Sequence, residues 1–271
     1  MIQSHSYLME NDAEAFRLDI KTNRKAVLEE ALWCGLNPGM RVLDAGCGPG
    51  KVTSILHKVI QPNGSILGID YSTERIEYAI KNFSTGKTGI DFRIHDLRNP
   101  LKDVGLFDLI WVRFVLEYNR TEAIEIVHNL SDCLKPGGCL CLLDLDYNCL
   151  SHYELPQKME KILLQAMSVV ELANNFDPYV GRKLYSYLYD LGYENIRVNM
   201  KAHHLIYGKV KAPDLFNWTK KLEMASQKVS NAFKSYPGGQ KKFFADFIKF
   251  FNDPRRFTYT PLILCKGLKP C

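Results

Sequence analysis

Three glycines separate a short apolar segment from a helical pattern early in the chain. Gly46, Gly48 and Gly50 follow Arg41–Ala45 and precede Lys51–Ile60. Glycine is required where a backbone turns sharply and lets a ligand approach closely. The free N–H groups at the start of a helix favour an anionic ligand group. The order strand, glycine loop, helix therefore predicts a ligand-binding turn at the edge of a parallel sheet.

The alternation of strand and helix patterns continues to about residue 150. Further strands are predicted at Ser65–Asp70, Ile90–His95, Phe107–Val112 and Cys139–Leu145. Helical patterns separate these segments, and such βαβ units form parallel sheets with right-handed crossovers. Ligands bind such sheets beyond the carboxyl ends of the strands. The sequence therefore predicts an α/β fold with its site in the loops that follow the strands.

Two carboxylates bracket the glycine loop and indicate the kind of cofactor. Asp70 ends the second strand, where a carboxylate accepts hydrogen bonds from both hydroxyls of a ribose. Dinucleotide sites use G-x-G-x-x-G, whereas this chain has G-x-G-x-G, with Lys51 at the position of the third glycine. Asp44 precedes the loop and would repel a pyrophosphate, but it suits an ammonium group. These residues favour S-adenosylmethionine over a nicotinamide dinucleotide.

With these motifs the sequence resembles the class I S-adenosylmethionine-dependent methyltransferases, in their small-molecule-modifying branch. The resemblance covers Arg41 to about Leu145 and is carried by five motifs in the family's order: Asp44–Gly50, Gly68–Ser72, His95–Leu97, Phe107–Ile110 and Leu134–Gly138. It implies a Rossmann-like, seven-stranded, mostly parallel sheet with an antiparallel last strand and helical lid insertions. Phe257–Lys266 would be that last strand.

The resemblance also implies where the cofactor, converted to S-adenosylhomocysteine as product, would bind. The glycine loop would hold the methionine end, Asp70 the ribose and Asp96 the adenine amino group. Arg113 and Phe114 would line the methyl-donor pocket, and the N-terminal segment would close over the cofactor. The implied cofactor-binding residues are Tyr7, Arg17, Asp44, Gly46, Cys47, Gly48, Gly50, Asp70, Tyr71, His95, Asp96, Leu97, Arg113 and Phe114.

The chain is predicted to have three parts. Residues 1–35 form an N-terminal helical lid segment, residues 36–150 the S-adenosylmethionine-binding core, and residues 151–271 the remainder of the sheet. Helical insertions at about 151–180 and 208–252 would cover the substrate site. This arrangement predicts a closed pocket and in-line methyl transfer to a small organic acceptor. An RNA- or protein-directed methyltransferase and a non-catalytic S-adenosylmethionine-binding regulator are the alternatives.

Charge, hydropathy and cysteine spacing indicate whether the chain binds nucleic acid, a membrane or a metal ion. The net charge is +5, and between residues 201 and 256 twelve basic residues oppose four acidic ones, which keeps nucleic acid open as a partner. We favour solvated helix faces for these charges. No apolar run approaches the roughly 18–20 residues of a membrane span, and no secretory signal is evident, so we expect a cytoplasmic protein. Without a Cys-x-x-Cys pair we expect no metal site.

No catalytic residue is assigned from the sequence. Asp146, Tyr147, Tyr7 and a lid histidine are all open as a base. His203 and His204 are adjacent, so on a regular strand they would face opposite ways, and we expect a structural or surface role for them. An apolar helix face comprises Phe243, Phe244, Phe247, Phe250 and Phe251. It is predicted to pack against the main domain; the alternatives are that it covers an apolar substrate or binds a membrane surface.

Overall fold

The computed structural model describes residues 22–84, 89–228 and 230–271. Within them, strands β1 to β8 span Arg41–Ala45, Ser65–Asp70, Ile90–Ile94, Phe107–Arg113, Leu134–Leu145, His152–Tyr153, Glu194–Tyr207 and Phe257–Leu268. Helices α1 to α8 span Arg24–Cys34, Lys51–Val59, Thr73–Ala79, Ala123–Asp132, Gln157–Ala173, Leu184–Asp190, Ala212–Lys228 and Gly239–Asn252. Short 3-10 or π turns cover Ile80–Ser84, Leu116–Tyr118, Val180–Lys183 and Ser230–Ser235.

One mixed sheet organises the described chain. Strands β3, β2, β1, β4 and β5 lie side by side and are parallel. Strand β8 pairs antiparallel with β5, and both β7 and the two-residue β6 pair antiparallel with β8. The predicted fold class, a mostly parallel Rossmann-like sheet with an antiparallel last strand, is confirmed. The short β6 is an addition that the sequence pattern did not predict.

The central strands are mostly apolar because helices cover both faces of the sheet. Successive residues point to opposite faces, so Leu43 and Val42 of β1 enter different hydrophobic clusters. Ile110 and Trp111 of β4 divide in the same way, and all four side chains are buried. This double burial fixes the strand ends, and with them the loops that form the site.

A third hydrophobic cluster, here called the lid cluster, lies apart from the two sheet clusters. It joins helices α5, α7 and α8, which come from the two predicted insertions, and Phe243, Phe247 and Phe251 are fully buried in it. The aromatic face of α8 therefore packs mainly within the lid rather than against the sheet. In the described residues, no helix combines the length and apolarity needed to span a bilayer.

Candidate functional site

The glycine loop adopts a backbone that only glycine accepts without strain. Gly46, Gly48 and Gly50 have φ values of 76°, 53° and 82°, in the region that L-residues with side chains rarely occupy. A Cβ on Gly46 would lie 2.3 Å from Cγ2 of Val115. A Cβ on Gly50 would lie 2.7 Å from Cβ of Ala79, so this glycine serves close packing of α2 on α3.

Asp70 links the loop to the end of β2. One oxygen of its carboxylate accepts from the Gly48 N–H at 3.0 Å, and the other accepts from the Ser72 N–H at 3.0 Å. The Arg75 guanidinium also donates to this carboxylate, at 3.1 Å. Ser72 caps α3, with its side chain accepting from the Arg75 N–H. Asp70 is therefore held in place at the mouth of the loop, and it lines the cavity described below.

Asp44 is a buried carboxyl directly beneath the loop. It is 2% exposed and accepts a 2.6 Å hydrogen bond from the Thr53 hydroxyl of α2. Burial raises its pKa to about 7, although the Thr53 hydrogen bond and the charge of Arg113 act in the opposite direction. This carboxyl is therefore partly protonated near neutral pH. A cationic group arriving at the loop would favour its ionised form.

A cavity of about 740 Å³ runs from the glycine loop to the lid cluster. This volume lies in the usual range for small-molecule sites. Of the predicted cofactor residues, Gly50 does not line it, and Tyr7 and Arg17 lie outside the described residues. The predicted residues that line it are Asp44, Gly46, Cys47, Gly48, Asp70, Tyr71, His95, Asp96, Leu97, Arg113 and Phe114.

The residues that follow β3 are arranged by local hydrogen bonds. Both oxygens of Asp96 accept from Arg98, and this pairing lowers the pKa of the Asp96 carboxyl. The His95 N–H donates to the Asp70 carbonyl at 3.0 Å, which ties the β3 loop to the β2 loop. Leu97 is buried, whereas Tyr71 is half exposed, with Arg75 over its ring. An apolar wall and a fixed carboxylate thus face the same space.

Arg113 connects the cavity to helix α1. Its Nε donates at 2.8 Å to the carboxylate of Glu30, which is 2% exposed. The guanidinium also lies 4.1 Å from the ring centroid of Phe114, whose φ is 58°. Glu30 lines the cavity and Thr53 supports Asp44, yet no sequence pattern indicated either residue. Glu30 precedes its partner by 83 residues, so no local pattern connects the two.

The expectation that His203 and His204 face opposite ways is wrong. Strand β7 shifts its register against β8 between Ala202 and His204. Such a bulge inserts an extra residue and turns the side chains. Both histidines line the cavity, with ring centroids 4.3 Å apart. Trp218 and Lys221 also line the cavity and were not among the predicted site residues. Their spacing of three on a predicted helix was the available signal.

The open base candidates of the fifth strand are not at the cavity. Among the described residues that line it, neither Asp146 nor Tyr147 is present. Asp146 accepts two hydrogen bonds from Arg182, at 2.8 and 2.9 Å, and Arg182 also lies over the Tyr147 ring. This pair is therefore better explained as a structural contact between β5 and the 3-10 turn that precedes α6. Tyr7 lies outside the described residues. His203 and His204 of β7 line the cavity and stay open as bases.

Most of the described basic residues between 201 and 256 are exposed, and some of them form ion pairs within this stretch. Lys242 and Arg255 pair with Asp246 and Asp253. Arg256 is buried and donates to the backbone carbonyls of Phe251, Ile206 and Gly208. The exposed pairs fit the solvated helix faces predicted for these charges, whereas the buried Arg256 has a structural role. In the residues that the structure describes, no group of three or more His, Cys, Asp or Glu side chains is arranged to hold a metal ion.

Comparison with known proteins places this site in a family. A methyltransferase-domain model matches residues 36–204, more than half of the chain. An uncharacterised methyltransferase of Schizosaccharomyces pombe is 31% identical over 58% of this chain and 58% of its own length. The juvenile hormone acid O-methyltransferase of Bombyx mori is 30% identical over 62% of each chain. The chain spans about a third to two thirds of the length of the curated relatives that it matches.

A solved structure shows the same fold. Phosphoethanolamine N-methyltransferase 2 of Haemonchus contortus, in complex with S-adenosyl-L-methionine, superposes with a TM-score of 0.58 at 13% identity. The superposition covers 95% of this chain and 56% of that one. The resemblance to class I S-adenosylmethionine-dependent methyltransferases is thereby confirmed: this chain belongs to the methyltransferase family.

Proposed function

We propose that this protein transfers the methyl group of S-adenosylmethionine to a small organic acceptor. The observation that carries the proposal is the continuity of the cavity, which reaches from the glycine loop to the buried lid cluster. Donor and acceptor would thus share one enclosed space, as in-line displacement requires. The names of the relatives, which include methyltransferases of juvenile hormone acid and of phosphoethanolamine, support an acceptor of this size.

In this proposal, the loop residues and two carboxylates hold the cofactor. Gly46, Cys47 and Gly48 would surround the methionine end, above the buried Asp44 carboxyl. Asp70 would accept from the ribose hydroxyls in exchange for part of its contact with Arg75. The adenine would lie between the half-exposed Tyr71 and the loop that holds His95, Asp96 and Leu97.

In methyl transfer, the main task of the protein would be to position the acceptor atom against the methyl group. The sulfonium supplies an activated methyl group, so a bond from the acceptor atom to carbon forms as the carbon–sulfur bond breaks. The chain would align the acceptor against Phe114 and keep water out with the apolar lid. An acceptor that loses a proton would have His203 or His204 in the same cavity to receive it.

Two measurements test the proposal. Calorimetry should show binding of S-adenosylhomocysteine and no binding of NAD. A panel of small metabolites, incubated with radiolabelled S-adenosylmethionine, should yield at least one methylated product. Turnover of a tRNA or peptide panel, with none among small molecules, would contradict the assignment. Cofactor binding without any turnover would support the non-catalytic regulator instead.

The Asp70→Ala substitution tests how the ribose is held. Loss of hydrogen bonds to a charged group should weaken S-adenosylhomocysteine binding by about 1.5–3 kcal/mol, measured by calorimetry at neutral pH. Asp91→Ala is a suitable control, because that carboxylate is exposed on β3. An unchanged affinity in a folded Asp70→Ala protein would show that other residues bind the ribose.

A further inference from the structure

We propose, on the basis of the proposed function, that the acceptor is an apolar molecule with one carboxylate group, and that Lys221 binds this carboxylate in the lid. Lys221 lies on α7 and lines the cavity. Its side-chain nitrogen lies 3.5 Å from Sγ of Cys149 and 5.2 Å from the ring centroid of Trp218. A half-buried ammonium is thus set among a thiol and an aromatic ring.

Four of the other cations that line the cavity have carboxylate partners. Arg75 pairs with Asp70, Arg98 with Asp96, Arg113 with Glu30 and Lys201 with Glu29. In the described part of the chain, no carboxylate lies within 4 Å of the Lys221 nitrogen. Partial burial of an ammonium without a counter-ion costs free energy, and an anionic ligand removes this cost. An anionic group on the acceptor would therefore balance the charge of the Lys221 ammonium.

The surroundings favour one carboxylate on an apolar body. Buried apolar side chains of the lid cluster line the same cavity, among them Ala166, Val170, Phe176, Trp218, Leu222 and Phe247. One ammonium balances one negative charge, whereas phosphate sites commonly use the bidentate guanidinium of arginine. Asp214 and Glu117 also line the cavity. Asp214 lies about two helical turns from Lys221, and Glu117 accepts from the Asn148 amide.

A series of ring contacts separates Lys221 from the donor end of the cavity. Phe114 contacts His203 at 4.9 Å between ring centroids, and His203 contacts His204 at 4.3 Å. His204 lies 6.1 Å from Trp218, over which Lys221 is placed. An acceptor held at Lys221 would extend along these rings toward Phe114. Its carboxylate would therefore serve as an anchor, away from the atom that receives the methyl group.

The test compares acids with their neutral amides. Decanoate, 3-phenylpropanoate and indole-3-acetate, each beside its primary amide, are titrated by calorimetry into the protein saturated with S-adenosylhomocysteine. Variants Lys221→Met and Lys220→Met are treated in the same way. Lys220 is a matched control, because it is exposed on the same helix and pairs with Glu223. Binding of S-adenosylhomocysteine is measured first for each protein, so failure of the proposed cofactor site is recognised separately.

We expect at least one acid to bind ten times or more tightly than its amide. Lys221→Met should abolish this preference while it leaves amide binding within threefold, and Lys220→Met should preserve it. Equal binding of acids and amides, no binding of any acid, or a preference that survives Lys221→Met would each overturn the proposal.

Discussion

Asp44→Asn should make the cofactor-free protein more stable at alkaline pH while it weakens the site. Asp44 is fully buried with a pKa of about 7, and an unfolded aspartate ionises near 3.9. The folded state therefore retains the proton over a pH range in which the unfolded state has lost it. The stabilisation of the folded state by protonated Asp44 is fully present below about pH 4 and is lost as pH rises through 7. Asparagine carries no charge and can still accept from the Thr53 hydroxyl.

The magnitude follows from the difference between the two pKa values. The cost of ionising the buried carboxyl amounts to about 4 kcal/mol at pH 8 and about 2 kcal/mol at pH 5. The stability of Asp44→Asn relative to the natural chain should therefore rise by about 2–3 kcal/mol between these pH values. The slope with pH isolates this effect from any constant cost of the amide itself.

Urea denaturation of the cofactor-free protein at pH 5, 6, 7 and 8 measures this difference. Asp108→Asn provides a control of opposite sign: burial acts against the shift, but hydrogen bonds from Lys135 and from the Arg41 N–H hold the pKa of Asp108 below its usual value. The stability that ionised Asp108 contributes to the folded state should therefore be lost as pH falls. If the free energy of unfolding of Asp44→Asn differs from that of the unsubstituted protein by the same amount at every pH, the buried-charge explanation is refuted. S-adenosylhomocysteine should bind Asp44→Asn more weakly above pH 7.

Three further outcomes follow from contacts of the site. Gly46→Ala should cost about 2–4 kcal/mol in urea denaturation, because it combines a positive φ with a Cβ against Val115; the cost should fall in a Val115→Ala background, and an equal cost there would exclude the clash. Glu30→Gln should cost about 2–4 kcal/mol by leaving the Arg113 charge half-buried and unpaired, whereas Glu29→Gln should change stability by less than about 0.5 kcal/mol. A labelled RNA 20-mer should bind only at the non-specific level of about 10⁻⁴–10⁻⁶ M at physiological salt. Tighter binding that falls steeply between about 50 and 200 mM salt would favour an RNA substrate.

The part of the cavity around the glycine loop and Asp70 could be predicted from the sequence, because its residues follow the strands directly in the chain. The bounds of β1 and β2 coincide with the prediction, since a buried apolar run ends where the polar loop begins. The glycine loop and Asp70 follow these strands directly, and parallel strands bring their carboxyl ends together at one edge. The length of β5 was less predictable: it begins at Leu134 because that residue pairs with Phe107 before the glycines.

The part of the cavity around His203, His204 and the lid cluster depends on contacts between segments that are distant in sequence, and no short sequence pattern predicts such contacts. The bulge that turns His203 into the cavity exists only as a register shift against β8. Arg256 ties the end of α8 to Ile206 and Gly208, about fifty residues earlier. The lid cluster also packs as a unit distinct from the sheet clusters. A substitution in it can therefore change the part of the cavity that the lid lines while the glycine loop and Asp70 keep their own hydrogen bonds. Under the proposed function, acceptor choice would be set in the lid.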